Sequence, residues 1–120
     1  ALRVPTEPKY DVVLADSVFQ YFNDAAYGQK VLERMWAKTE KMVVVTEVHD
    51  QEKKDEHMAY RRKCVENYDE VYAGLDKTFY TREMFLQFAE EHGGRCEIVQ
   101  PDNELYWNNR FVFDCYLYKE

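Results

Sequence analysis

The sequence predicts an α/β domain built on a parallel pair of strands, and three features carry that expectation. Two Val-rich runs, YDVVLA at residues 10–15 and KMVVVTEV at residues 41–48, are almost continuously apolar. Such runs mark strands covered by helices on both faces. Between them lies a single amphipathic helix, giving strand, helix and strand over roughly 40 residues, the span of a right-handed βαβ unit. The chain then closes on RFVFDCYLY, whose period of two marks an antiparallel strand.

Taken in order, the first run is followed by Asn23 or Asp24, either of which can cap the crossover helix. Tyr27, Val31 and Met35, together with Gly28, Leu32 and Trp36, recur at spacing four and form its apolar stripe. After the second run, residues 50–76 are highly charged and apolar only at scattered positions. They predict a mostly exposed helix, then a less regular piece ending near Gly74. Thr81 caps a clearer helix, TREMFLQFAEEHGG, with Met84, Phe85, Phe88 and Ala89 on one face and a left-handed glycine turn at its end. CEIVQ is a short strand stopped by Pro101 and hairpinned to the last strand, in which Phe111, Phe113, Cys115 and Leu117 share a face.

At 120 residues the chain is a single domain, 1–120, able to bury roughly two-thirds of its unfolded surface. Sixteen Lys plus Arg against 23 Asp plus Glu give a net charge of −7. An acidic domain gains nothing from phosphate counterion release, so a general nucleic-acid role is not expected. The basic cluster Arg61, Arg62, Lys63 is flanked by Asp55, Glu56 and Glu66 and reads as a solvated helix face, with a phosphate site as the alternative. Cys64, Cys96 and Cys115 match neither a zinc pattern nor a disulfide framework, and Cys115 reads as a small core residue. No apolar run approaches the roughly 20 residues of a membrane span, and ALRVPTEPKY has the build of neither a signal nor a transit peptide. A cytoplasmic setting without a membrane partner is expected.

The ordered set YDVVLADSVFQYF, crossover helix, KMVVVTEV, TFYTREMFLQFAEEHGGRCEIVQ and terminal hairpin strand resembles the second half of a class I S-adenosylmethionine-dependent methyltransferase. The resemblance covers essentially the whole chain. It implies a partial Rossmann-like sheet with the family's strand order 4-5-7-6, the last strand antiparallel to its neighbours, and flanking helices. It also implies methyl transfer from S-adenosylmethionine to a small-molecule acceptor. The family's main cofactor cradle is a glycine-rich turn that lets backbone N–H groups approach closely. This chain has four glycines, at 28, 74, 93 and 94, and none follows a strand and opens a helix. ALRVPTEPKY resembles the loop just after the family's third strand. The chain is therefore expected to be the C-terminal half of a longer domain and incompetent to hold the cofactor alone.

In open α/β sheets ligands sit beyond the carboxyl ends of the strands, which points to the loops after the two Val-rich runs. By resemblance, Leu2, Asp16, Ser17 and Val18 would lie at the cofactor, and Gln20 and Tyr21 would face the acceptor. His49, at the end of the second run, is a candidate general base. Each has a plainer alternative: Asp16 as a turn cap, Tyr21 and Phe22 as core or staple residues, His49 as a surface histidine. Glu47 should lie at the sheet's carboxyl edge, while His57 and His92 should face solvent. Tyr80, Tyr106 and Trp107 either line an acceptor pocket or pack on the sheet. No residue set has metal-ligand spacing. Asp16 and Thr46 also suggest the phosphoacceptor strand and switch threonine of a bacterial receiver domain, but only 15 residues precede Asp16, too few for the two earlier strands a receiver needs. A second class of function remains beside the enzyme: an association module. Without the family's first strand beside it, the strand at residues 10–15 is a bare apolar edge, expected to pair with a second copy in a homodimer or with the missing N-terminal half.

Overall fold

A computed structural model of the chain describes residues 2–74, 77–102 and 109–120. The first strand, β1, runs Tyr10–Asp16 and leads through a 3-10 turn at Phe19–Tyr21 into helix α1, Ala25–Lys38. Of the two possible caps it is Asp24 that serves, its carboxylate accepting from the Tyr27 N–H at 2.8 Å. Strand β2, Thr39–His49, follows without a loop. Buried Thr39 fastens the join, its hydroxyl donating to the Asp11 carbonyl at 2.9 Å and so tying the start of β2 to β1.

The charged stretch forms α2, Lys54–Cys64, and a single turn, α3, at Tyr68–Val71. Helix α2 carries Asp55 and Glu56 in its first turn and Arg61, Arg62 and Lys63 in its last, each complementing the helix dipole. The Thr81 hydroxyl oxygen accepts from Met84 N–H at 3.2 Å and opens α4, Arg82–Glu91, which stops at Gly93 with φ +71°. Strands β3, Arg95–Val99, and β4, Val112–Tyr118, complete the sheet. Among the described residues no helix is long and apolar enough to cross a membrane.

The sheet order is β1-β2-β4-β3. β1 and β2 are parallel, with Val13 opposite Val43 and Asp16 opposite Thr46, whereas β4 runs antiparallel to both β2 and β3. This is the 4-5-7-6 arrangement expected from the sequence, with the last strand reversed. Between Val45 and Val48, β2 carries one residue more than β4 opposite it. Glu47 takes a left-handed φ of 56° there, and its N–H donates to the Asp114 carboxylate at 2.9 Å. The bulge thus turns Glu47 toward the carboxyl edge, where it was expected.

One face of the sheet carries the core. Val43, Val45, Phe113, Cys115 and Leu117 meet Val31, Leu32 and Met35 of α1 and Phe85, Phe88 and Ala89 of α4. Both predicted helical stripes are therefore the buried ones. The expectation that β1 is covered on both faces is corrected: Val13 and Ala15 face the core, while Val12 and Leu14 are 48% and 60% exposed. Both helices pack on the same side, and β1 is an edge strand.

Gly28 lies where α1 meets the buried ring of Tyr80; a Cβ built there would come within 2.5 Å of the phenol oxygen and 2.6 Å of the ring. Tyr80 cannot yield easily, because its hydroxyl donates to the Phe19 carbonyl at 2.8 Å. Gly28→Ala is therefore expected to lower stability by about 1–2 kcal/mol, overpacking outweighing the roughly 1 kcal/mol gain in helix propensity. Urea unfolding of the variant beside the parent checks this; a stabilised variant would mean the ring moves aside freely.

Candidate functional site

The carboxyl ends of the two parallel strands lie side by side and are joined by a short network. The Thr46 hydroxyl donates to the Asp16 carboxylate at 2.5 Å, and Ser17 N–H reaches the Thr46 carbonyl at 3.2 Å. Ser17 adopts φ 58°, which turns the chain sharply off the strand. Gln20, 4% exposed, donates from its side-chain amide to the Ser17 hydroxyl at 2.9 Å. The segment before α4 clasps this turn from the other side. Thr78 N–H donates to the Gln20 carbonyl at 2.9 Å, the Thr78 hydroxyl to the Phe22 carbonyl, and Tyr80 N–H to the His49 carbonyl at 2.8 Å.

Asp16, Ser17, Val18 and Gln20 are thus brought together at the end of β1. Leu2 stands apart, half-buried against the core cluster. Tyr21 is 64% exposed, with the Lys77 ammonium 4.1 Å above its ring. Tyr80 is a core residue, and Tyr106 and Trp107 lie outside the described residues.

His49 closes β2 as expected, but it is 2% exposed, its ring packed against His57 and Phe79 at centroid distances of 4.8 and 5.3 Å. Burial, reinforced by the nearby His57, Arg61 and Lys77, pushes its pKa down to about 3. Buried in this way and with its proton affinity lowered, the imidazole is poorly suited to the general-base role that its place at the strand end suggests. His57 corrects the sequence reading outright: instead of facing solvent it is fully buried, stacked on Phe111 at 4.7 Å, and accepts from Arg61 Nε at 2.9 Å. Burial and the Arg61 charge lower its pKa to about 4. His92 is exposed, as expected, and lies over Phe88.

Two cavities of opposite character open at this end of the molecule. One, of about 340 Å³, is lined by Leu14, Asp16, Thr46, Glu47 and Asp114, with Pro101 and Asn109 at its margin. Its three carboxylates interact: burial raises the Asp114 pKa, the Glu47 N–H opposes the rise, and the charges of Glu47 and Asp16 add to it. A cationic or hydrogen-bond-donating group suits this wall. The other cavity, of about 460 Å³, lies between α2 and the segment before α4 and is lined by Lys54, Asp55, Met58, Arg62, Lys77 and Phe79. A third hollow, of about 330 Å³ and almost wholly apolar, follows the free edge of β1 beneath α1, with Val4, Val13, Val18 and Met35 among its walls.

Sequence reasoning placed Asp50 in the loop after the second run but gave it no role, and it missed Asp114 and Lys77. Asp50, 1% exposed, accepts from Glu52 N–H at 3.0 Å and pairs with Arg82 at 3.2 Å, pinning α4 to the end of β2. Asp114 had a visible signal, a lone acid in the apolar alternation of β4. Lys77 had none, since only folding brings it opposite α2.

The molecule is an α/β fold with a mixed four-stranded sheet and flanking helices, of the Rossmann-like type found in methyltransferases. Among solved structures it is similar to magnesium protoporphyrin IX methyltransferase from Synechocystis PCC 6803, with bound SAH, at a TM-score of 0.68 and 7% identity. The match covers 99% of this chain and 48% of that one, so the chain spans about half of that protein's length. At that identity the likeness is one of fold. No protein-family model matches the chain, and no curated protein matches it in sequence.

The paired histidines make stability pH-dependent. Both have folded-state pKa values below the unfolded value of 6.5, at about 3 and about 4, so the unfolded chain takes up protons first as pH falls. Their contribution is complete above pH 6.5 and drains away below it, at up to about 1.4 kcal/mol per pH unit for each histidine. Urea midpoints are expected to fall steadily from about pH 7 to about pH 5, and a flat profile over that window would contradict the buried, neutral pair.

Proposed function

We propose that the chain is the acceptor-side half of an S-adenosylmethionine-dependent methyltransferase domain acting on a small organic molecule, with the main cofactor cradle supplied by residues outside these 120. The observation that carries this reading is the sheet, ordered β1-β2-β4-β3 with β4 reversed and matching a solved methyltransferase over 99% of the chain. The fit to the cofactor is partial. The acid-lined cavity beside Asp16 suits the ammonium of a methionyl group, and Asp16 with Val18 also borders the neighbouring apolar hollow. All four glycines, however, lie in or after helices, away from the carboxyl ends of β1 and β2.

S-adenosylmethionine, when bound, supplies a methyl group on a sulfonium. The work left to the protein is in-line alignment of the acceptor and exclusion of water. On this reading the turn clasped by Thr78 orients the acceptor through exposed Tyr21, with buried Gln20 bracing the turn through Ser17. His49 serves through its backbone carbonyl, which holds Tyr80. An acceptor that is already nucleophilic fits this arrangement best, since among the described residues the histidine at the carboxyl ends of β1 and β2, His49, is buried.

Calorimetric titration of the chain alone with S-adenosylhomocysteine is expected to give a Kd above about 1 mM. A longer polypeptide carrying a strand and glycine-rich turn ahead of Ala1 is expected to bind it micromolar and to lose about tenfold on Asp16→Ala. Submillimolar binding by the chain alone would put the cradle within it; a longer polypeptide that binds nothing would end the methyl-transfer reading.

A second reading is favoured by the edge of the sheet. Tyr10, Val12 and Leu14 are exposed on a strand that is hydrogen-bonded on one side only, with the apolar hollow running beside it. Such an edge recruits another strand, so the isolated chain is expected to sediment as a homodimer at micromolar concentration and Leu14→Lys as a monomer. A well-folded parent that sediments as a monomer would remove this reading.

A further inference from the structure

The cavity between α2 and the segment before α4 stands out because its charge runs against that of the whole chain. The protein carries a net −7, yet this cavity gathers Lys54, Arg62 and Lys77 with Asp55 as the acid in its wall. The arrangement follows from helix geometry. Lys54, Met58 and Arg62 recur at spacing four and so share one face of α2. Lys77 approaches from the opposite bank, and the buried ring of Phe79 lies between.

We propose that this cavity binds a small molecule through an oxyanion, a carboxylate or a phosphate, with an aromatic or apolar body laid against Phe79 and Met58. Among the described residues neither lysine ammonium is in an ion pair. Lys54 instead lies 5.4 Å from the centre of the Phe79 ring, and Lys77 4.1 Å from that of Tyr21. Arg62 engages Asp69 through Nε at 3.1 Å, which leaves its two terminal nitrogens to face an oxyanion. A volume of about 460 Å³ is that of a small-molecule site, and it is far too small for a nucleic-acid groove. The basic cluster that the sequence presents as a solvated helix face is thus divided by folding. Arg61 turns inward to His57, Arg62 reaches the cavity, and Lys63 stays on the outer surface.

The cavity adjoins the turn at the end of β1 through Lys77 and Tyr21, and Thr78, the next residue, hydrogen-bonds the Gln20 carbonyl. Its occupant is therefore the methyl acceptor, an assignment that rests on the methyl-transfer reading above; the anion site itself does not depend on it.

The test uses the isotopically labelled chain and amide NMR shifts, with benzoate, phenyl phosphate, inorganic phosphate and neutral benzyl alcohol as probes. Saturable shifts confined to residues 54–62 and 77–79 are expected from benzoate or phenyl phosphate, with binding at least about tenfold tighter than that of benzyl alcohol. The stronger of the two aromatic anions identifies carboxylate or phosphate. Inorganic phosphate is expected to bind the same residues more weakly, for lack of the apolar body. Lys77→Gln and Lys54→Gln are each expected to weaken the preferred anion by about tenfold, while Lys63→Gln leaves it unchanged. Circular dichroism of each variant separates lost binding from lost folding. No saturable shift from any anion up to about 10 mM, equal binding of benzyl alcohol, or indifference to both lysine substitutions would overturn the site. Anion binding that survives while the longer polypeptide fails to bind S-adenosylhomocysteine would overturn only the identity of the occupant as a methyl acceptor.

Discussion

Strand β2 is the constraint on which the rest of the molecule turns. Among the described residues it is the one strand with a parallel neighbour on one side and an antiparallel neighbour on the other. A parallel neighbour cannot be reached by a tight turn, so the chain must cross over through α1, which lays that helix on one face of the sheet. The same requirement points β1 and β2 in one direction, and their carboxyl ends emerge together. Asp16, Thr46, His49 and Asp50 meet at one end of the domain because of strand direction, before any side-chain chemistry enters.

What happens at that end depends on how the backbone leaves the sheet. Ser17, just past β1, and Glu47, at the bulge in β2, both take left-handed φ values. Each is held by a hydrogen bond, Ser17 N–H to the Thr46 carbonyl and Glu47 N–H to the Asp114 carboxylate. A non-glycine residue there is strained, and the strain persists only where surrounding bonds over-determine it. The consequence is a separation of charge. Carboxylates from β1, β2 and β4 gather on one side of the strand ends, and lysine and arginine from α2 and the segment before α4 gather on another.

Much of the fold was legible because it is written in local periodicity. The Val-rich runs, the stripe through Val31 and Met35, the Thr81 cap and the alternation from Phe111 to Leu117 each require only a few neighbouring residues to be recognised. What stayed illegible required partners distant in sequence. Val12 and Val13 are the same residue, and only the placement of α1 and α4 on one face decides which is buried. His57 sits among charged helical residues and reads as exposed, yet its ring is claimed by Phe111. Asp50 gives no hint of burial until Arg82 arrives from the start of α4. Strand direction alone points to the carboxyl ends of β1 and β2, where Asp16 and Thr46 do meet, while the charged walls there depend on tertiary contacts.

The buried histidines bear on the chemistry as well as on stability. A charged imidazole at position 49 would lie 4.8 Å from a second imidazole, with Arg61 and Lys77 also in reach of its field. Burial and these neighbouring cations disfavour protonation and hold both pKa values below the ordinary histidine value. His57 of α2 packs its ring against His49, Phe79 and Phe111, which lie beneath the helix. That packing seats α2 where Lys54 and Arg62 line one cavity with Lys77. The histidines thus bear on this cavity through packing, His57 from within α2 and His49 from the end of β2.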